Sequence, residues 1–314
     1  MAELKNEFSW SFSASRGLQE CPRKHYLSKY KHWKGWLPKS AKDKRLAYRL
    51  KKMTSMPAWK GDVVHRCAKH VLLNAKRGIE MPFGDVCEWI TQTAKREYNI
   101  SLQNCKAEMT NPKSLALAEH YYPRLGKKWI NESSLPNATE DMLTWIDNFY
   151  HGEIFAMVKA LDTHNWLALE DLDKFQVAGA NVWVVMDLCY RTEEDHCVIV
   201  DWKTGKRKQL DNKQLHVYAM YAAQHWGFDP ESIHLQVVYL KEGLNVIDTY
   251  EDVTPQDLAD TEEFIVNDIK KMREQLECPE LNVPYPENHY KKNAAGQDSW
   301  LCQNCSFYKM CWDN

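Results

Sequence analysis

The sequence predicts a mixed α/β fold, in which a sheet core is flanked by helices and is preceded by a helical insertion. Two observations predict it. From residue 166 onward, short apolar runs typical of strands alternate with two longer segments of helical periodicity. Between residues 82 and 161 the apolar residues recur mostly at helical spacing, with stops near Pro112, Pro123 and Pro136. The chain has 314 residues, 44% of them hydrophobic, which is enough to bury such a core.

The predicted core begins with three strands separated by turn-forming residues. They lie at 176–177, 181–188 and 197–203. Because short turns join them, we expect an antiparallel meander. A helix at 212–226, strands at 234–240 and 246–249, and a helix at 255–276 are predicted to follow.

We expect one domain over residues 1–314, divided into five segments. The segments are a basic N-terminal stretch (1–60), a helix (61–80), the helical insertion (81–161), the core (162–276) and a cysteine-rich C-terminal stretch (277–314).

No apolar run approaches the roughly 20 residues of a membrane helix, and the first ten residues are too polar for a signal peptide. We therefore expect a cytoplasmic protein without membrane contact.

Positive charge is concentrated near the N-terminus. Between Arg16 and Lys60 there are fourteen lysine or arginine residues and two acidic residues, a net charge of +12 in a chain whose total is −2. Trp33, Trp36 and Trp59 lie in the same segment. This mixture is typical of a groove that binds phosphates and stacks on unpaired bases. A solvated lysine-rich face with buried aromatic residues would give the same composition.

The ten cysteines fall into two groups. Cys302, Cys305 and Cys311 are crowded together at metal-ligand spacing, and a reducing cytosol disfavours disulfides. Thiolates bind zinc as well as iron–sulfur clusters, so the spacing leaves both alternatives open. Six others stand among apolar or helical-pattern residues, where we expect small buried side chains: Cys67, Cys87, Cys105, Cys189, Cys197 and Cys278.

Two acidic residues fall within apolar strands of the predicted core. Asp201 and Lys203 are two positions apart, so their side chains project from the same face of the strand. Asp187 ends the preceding apolar run, where an unpaired charge would cost several kcal/mol. Carboxylates from adjacent strands suit Mg²⁺ or Mn²⁺, and the lysine is placed to orient a water or to stabilise phosphate charge. A buried structural ion-pair network would give the same pattern.

The order of these residues resembles a known family. The motifs of the PD-(D/E)XK nucleases are similar to Gly61-Asp62-Val63-Val64-His65, then Asp187, then Asp201-Trp202-Lys203-Thr204-Gly205, then Gln214-Leu215-His216-Val217-Tyr218. The RecB-like iron–sulfur branch, which includes AddB and the CRISPR-associated single-strand exonucleases, has a cysteine pattern similar to Cys21-Pro22-Arg23-Lys24-His25-Tyr26 with Cys302, Cys305 and Cys311. The resemblance spans nearly the whole chain.

This resemblance implies a restriction-endonuclease-like fold and a role for each matched residue. Lys203 would be the catalytic lysine, and Gln214 and Tyr218 would position it and the substrate. Glu170 is given a supporting role at most. Mg²⁺ or Mn²⁺ would be held by His65, Asp187, Asp201 and the main-chain carbonyl of Trp202. A [4Fe-4S] cluster would act as an iron–sulfur staple joining the chain ends through Cys21, Cys302, Cys305 and Cys311.

On the same resemblance we expect a metal-dependent deoxyribonuclease, an exonuclease acting on single strands or DNA ends. Its role would lie in recombination, repair, or phage and defence DNA processing. The chain has no Walker A motif, so any helicase or recombination activity would belong to a separate partner protein. Two alternatives remain open: a non-catalytic DNA-binding subunit of a helicase–nuclease or adaptation complex, and an RNA-processing nuclease.

Overall fold

The computed structural model describes residues 5–207, 211–250 and 253–312. Its described residues form two compact units, each assembled from segments that are distant in sequence. The first unit contains residues 5–56, 97–132 and 266–312, and the second contains the described residues of 57–96 and 133–265. No described helix is both long enough and apolar enough to cross a membrane.

The helices and strands follow one another along the chain with few long connections. The helices are α1 (Phe12–Glu20), α2 (Pro22–Tyr26), α3 (Lys42–Lys52), α4 (Met56–Lys76), α5 (Phe83–Lys106), α6 (Ala118–Tyr121), α7 (Pro123–Trp129), α8 (Ser134–Tyr150), α9 (Glu153–Ala160), α10 (Asp211–Trp226), α11 (Pro255–Arg273), α12 (Trp300–Gln303) and α13 (Tyr308–Trp312). The strands are β1 (Ser9–Trp10), β2 (Trp166–Ala168), β3 (Leu172–Val177), β4 (Ala180–Val185), β5 (Leu188–Arg191), β6 (Cys197–Lys203), β7 (Ile233–Tyr239), β8 (Ile247–Tyr250), β9 (Leu276–Cys278) and β10 (Val283–Pro284).

A mixed five-stranded sheet lies in the second unit, with strand order β2-β5-β6-β7-β8. Strand β6 is central: it pairs antiparallel with β5 and parallel with β7. Its residues are nearly all buried, as expected for a strand covered on both faces. The prediction of a mixed α/β, restriction-endonuclease-like core is therefore confirmed.

The second predicted strand, 181–188, is interrupted. Strand β4 ends at Val185 and β5 begins at Leu188, so Met186 and Asp187 lie between them. Strands β3 and β4 form one antiparallel pair, whereas β5 joins the five-stranded sheet, so the predicted single meander is wrong. The interruption lets the buried Asp187 carboxylate accept a hydrogen bond from the backbone N–H of Trp202 at 2.8 Å.

The first unit is mainly helical, and its three sequence segments share one apolar core. Leu27 and Leu50 come from the N-terminal segment, Met109 from the middle segment, and Phe307 and Met310 from the C-terminal segment. All five side chains are buried. Packing of the C-terminal residues against this core fixes the cysteine-rich segment in place.

Candidate active site

A close approach between α4 and the end of β6 positions the motif Gly61-Asp62-Val63-Val64-His65. A Cβ atom on Gly61 would lie 2.7 Å from the Thr204 side-chain oxygen, which is too close for any other residue without movement. Glycine therefore allows the helix to pack directly against the chain just beyond Lys203. His65 lies one helical turn after Gly61 on α4, so the contact also sets the position of its imidazole.

Three potential metal ligands converge at this point. His65 Nδ1 lies 3.3 Å from Asp187 Oδ1 and 3.4 Å from Glu170 Oε1. Among the described residues, this is the group whose three ligand atoms lie within 4.8 Å of one another. Two carboxylates and one imidazole form a donor set suited to Mg²⁺ or Mn²⁺.

Glu170 lies in a strained part of the backbone. Its φ is +51°, in the left-handed region that non-glycine residues seldom adopt. Two hydrogen bonds hold it there: its own N–H donates to the Met186 carbonyl at 2.8 Å, and its carbonyl accepts from Lys69 Nζ at 3.0 Å. These bonds keep the Glu170 carboxylate beside His65 and Asp187.

The charges around His65 are those of a cation site. Burial lowers the pKa of His65, but Asp187 and Glu170 outweigh it and raise that pKa well above its ordinary value. Two carboxylates that stabilise a proton on an imidazole would also stabilise a metal ion, which competes with that proton.

Asp201 and Lys203 lie beside this group on β6. Lys203 Nζ is 2.6 Å from Asp201 Oδ2, which places both side chains on one face of the strand as the two-residue spacing predicted. Burial, and then the charge of Asp187, raise the pKa of Asp201 to about 6, and they outweigh the Lys203 ammonium, which lowers it. A buried carboxylate in this state is available to a cation.

Two residues on α10 hold the lysine from its other side. Gln214 and Tyr218 are four residues apart and therefore lie on the same face of the helix. Lys203 Nζ donates to Gln214 Oε1 at 3.4 Å, and the Gln214 amide donates to the Tyr218 hydroxyl. This chain of contacts fixes the lysine between the helix and Asp201.

The structure thus brings together His65, Asp187, Asp201, Lys203, Gln214 and Tyr218 in the second unit. Trp202 takes part through its backbone N–H, which donates to Asp187, while its indole is buried against Phe149. The role of its carbonyl as a metal ligand stays a prediction. For Glu170 the sequence offered only the resemblance, because this residue follows a three-residue strand without periodicity or a neighbouring motif residue.

The four cysteines assigned to a cluster all lie in the first unit. Cys21 links α1 to α2, Cys302 lies in α12, and Cys311 lies in α13. Burial raises the pKa of the Cys305 thiol, and nearby Cys21 and Cys302 raise it further. Burial and Cys305 raise the pKa of Cys311 to about 12, with a smaller contribution from Cys21. The thiols are therefore close enough to repel one another as thiolates.

The aromatic residues of the basic segment divide between two environments. Trp59, on α4, is buried. Trp33 and Trp36 are half-buried, and their rings meet edge to face with centroids 5.2 Å apart. These two tryptophans retain exposed surface that a base could stack on.

Comparison with known proteins identifies one family. The model of the PD-(D/E)XK nuclease superfamily matches residues 9–312, which is nearly the whole chain. No curated protein matches the sequence.

Proposed function

The chain belongs to the PD-(D/E)XK nuclease superfamily and so to a class of metal-dependent nucleases, and we propose that it is a deoxyribonuclease acting on single strands or DNA ends. The observation that supports cleavage is the convergence of His65, Glu170 and Asp187 beside the Asp201–Lys203 pair. The resemblance to the RecB-like branch supports the exonuclease assignment and a role in recombination, repair or defence. A separate helicase or recombination protein would be its partner.

Each residue of the site has a distinct task in this proposal. A bound Mg²⁺ or Mn²⁺ would lower the pKa of a coordinated water and neutralise charge on the scissile phosphate. His65, Asp187 and Asp201 would hold it, with Glu170 as a fourth side chain. Lys203 orients the attacking water and stabilises negative charge as the phosphate reacts. Gln214 and Tyr218 keep Lys203 in place through the contacts described above.

We also propose that Cys21, Cys302, Cys305 and Cys311 bind a [4Fe-4S] cluster. All four are thiolate donors of one compact unit, and burial, then the charges of Cys21 and Cys302, raise the pKa of Cys305. The resemblance of the four-cysteine pattern to the iron–sulfur branch supports a multi-iron cluster in place of a single zinc ion. Its role would be to tie the N- and C-terminal segments of this unit together.

The test is an assay of purified protein with Mg²⁺ or Mn²⁺ on single- and double-stranded DNA and RNA, each labelled at one end. Release of terminal nucleotides from DNA is expected, and internal cuts would replace the exonuclease assignment with an endonuclease. Lys203→Ala and Asp187→Asn should each abolish cleavage while leaving DNA binding intact. Lys95→Ala, which removes an exposed lysine of the same unit, serves as the control.

Two outcomes would replace the proposal. Cleavage of RNA in preference to DNA would make this an RNA-processing nuclease, since the distinction rests on contacts to the 2′-hydroxyl. If the metal-loaded wild type binds DNA but cleaves none of the four substrates, the protein would be a non-catalytic binding subunit. Activity that survives both substitutions would remove the residues of the site from catalysis.

A further inference from the structure

A concave site lies in the first unit, and its lining contains none of the residues assigned above to catalysis. It is a cavity of about 450 Å³, within the range of small-ligand sites. Four cationic side chains line it: Arg16, Lys24, Lys29 and Lys51. The one carboxylate in its lining is Glu20, which pairs with Arg16 at 3.1 Å and Lys24 at 3.5 Å.

Within the described residues, the side chains of Lys29 and Lys51 contact only neutral partners. Lys29 Nζ donates to the backbone oxygen and the hydroxyl of Ser9, at 3.3 Å and 3.0 Å. Lys51 Nζ contacts the imidazole of His32 at 2.9 Å. Burial lowers the pKa of Lys29, and burial followed by the charge of Lys29 lowers the pKa of Lys51 to about 8. Two neighbouring ammonium groups without a carboxylate partner are stabilised by any anion that enters between them.

The remaining lining adds hydrogen-bonding groups. Ser11, the N-cap residue of α1, and Ser13 contribute hydroxyl groups, and the lining continues along the side of that helix to Glu20. His25 also lines it and is only 2% exposed. Its Nε2 has no hydrogen-bond partner among the described residues, and a buried polar atom left in that state costs about 1–3 kcal/mol.

We propose that this cavity binds the terminal phosphate of a nucleic-acid strand, an inference that rests on the proposed function for its ligand class. A terminal phosphate carries about −1.5 to −2 charges and three acceptor oxygens. The cations and hydroxyls that line this cavity match the charge and the acceptor oxygens of such a group. An internal phosphodiester has a single charge and continues as chain on both sides, so an open groove would suit it better. The site would therefore distinguish a strand end from the middle of a strand.

The test measures binding without divalent cations, so that no cleavage is required. One short single-stranded oligonucleotide with an internal fluorophore is prepared with a 5′-phosphate, a 3′-phosphate or two hydroxyl ends, as DNA and as RNA. The wild type should bind one of the phosphorylated forms roughly tenfold more tightly than the hydroxyl form, by fluorescence anisotropy. The preferred end would then indicate which terminus the protein holds.

Matched substitutions test whether the lysines of the cavity cause the preference for a terminal phosphate. Lys29→Gln with Lys51→Gln should reduce the phosphate preference to less than about twofold, and Lys51→Gln alone should reduce it in part. Lys39→Gln with Lys42→Gln removes the same charge from exposed positions of the basic segment outside the cavity, and should leave the preference unchanged.

The proposal is overturned if the wild type shows no preference for either phosphorylated end, or if the preference survives Lys29→Gln with Lys51→Gln. Its outcome is separate from that of the nuclease proposal. A phosphate preference in a protein that cuts no substrate would leave the cavity assignment standing. Cleavage without any such preference would leave only the nuclease proposal.

Discussion

Replacing Asp201 by asparagine should stabilise the metal-free protein at neutral pH while weakening its response to metal. The pKa of Asp201 is raised from 3.8 to about 6, first by burial and then by Asp187. Since one pKa unit corresponds to about 1.4 kcal/mol, ionised Asp201 costs the folded state about 3 kcal/mol. Asparagine has nearly the same shape and no charge, so it removes this cost.

The raised pKa of Asp201 determines how the stability of the wild type changes with pH. The stability that protonated Asp201 provides is complete below pH 3.8 and is lost as the pH rises through about 6. At about pH 5 roughly 1.4 kcal/mol of it remains, and at about pH 8 none remains. The stability of the wild type relative to Asp201→Asn should therefore fall by roughly 1.4 kcal/mol across this range. Burial lowers the pKa of His25 and His120 to about 4, which acts in the opposite direction, but both proteins share these histidines.

The assay is thermal unfolding of both proteins in EDTA between about pH 5 and about pH 8, repeated with Mn²⁺. For a unit of this size the expected difference corresponds to a shift of roughly 3–6 °C in Tm. Mn²⁺ should stabilise the wild type more at the higher pH and should stabilise the variant much less. A stability difference that is constant with pH, or one that grows in favour of the wild type as the pH rises, would refute the reasoning.

Three further changes test other parts of the molecule. Gly61→Ala places a methyl group 2.7 Å from the Thr204 oxygen and should cost about 1–3 kcal/mol in unfolding free energy and reduce cleavage; Thr204→Ala in the same chain should recover part of both losses. The affinity for single-stranded DNA should fall steeply with salt, by about 0.7 logarithmic units per phosphate contact for each tenfold increase, and Trp33→Ala should weaken it further by about 1–3 kcal/mol if that ring stacks on a base. Anaerobically purified protein should contain about four irons per chain, and Cys305→Ser should lower both the iron content and the Tm, whereas one zinc and no iron would contradict the cluster.

The parts of the site that lie in regular structure could be predicted from the sequence. Alternation along a strand placed Asp201 and Lys203 on one face, and helical spacing placed Gln214 with Tyr218; both pairs are in contact. Glu170 could not be predicted in this way, because its position depends on a positive φ and on two backbone hydrogen bonds from other segments.

The division of the chain into two compact units also could not be predicted from the sequence. Helical periodicity predicted α5 and α8 within residues 82–161, yet residues 97–132 pack with the chain termini and 133–161 pack with the sheet. Periodicity identifies which face of a helix is buried, but it carries no information about the distant segment that covers that face. The assignment of residues 97–132 to the first unit follows only from three-dimensional packing, in which Met109 and Phe307 share one hydrophobic core.

The site is organised around a charge imbalance that the fold itself does not correct. Three carboxylates, those of Glu170, Asp187 and Asp201, face two cationic groups within the described residues, Lys203 and a protonated His65. The metal-free form therefore carries one excess negative charge in a buried place, and the proton on His65 must leave before its Nδ1 can bind metal. The pKa of Asp201 is raised because its charge is unfavourable there, so removal of this carboxylate should stabilise the metal-free protein and at the same time weaken metal binding. Stability and activity are opposed at this position because the repulsion that destabilises the metal-free site is what attracts the cation.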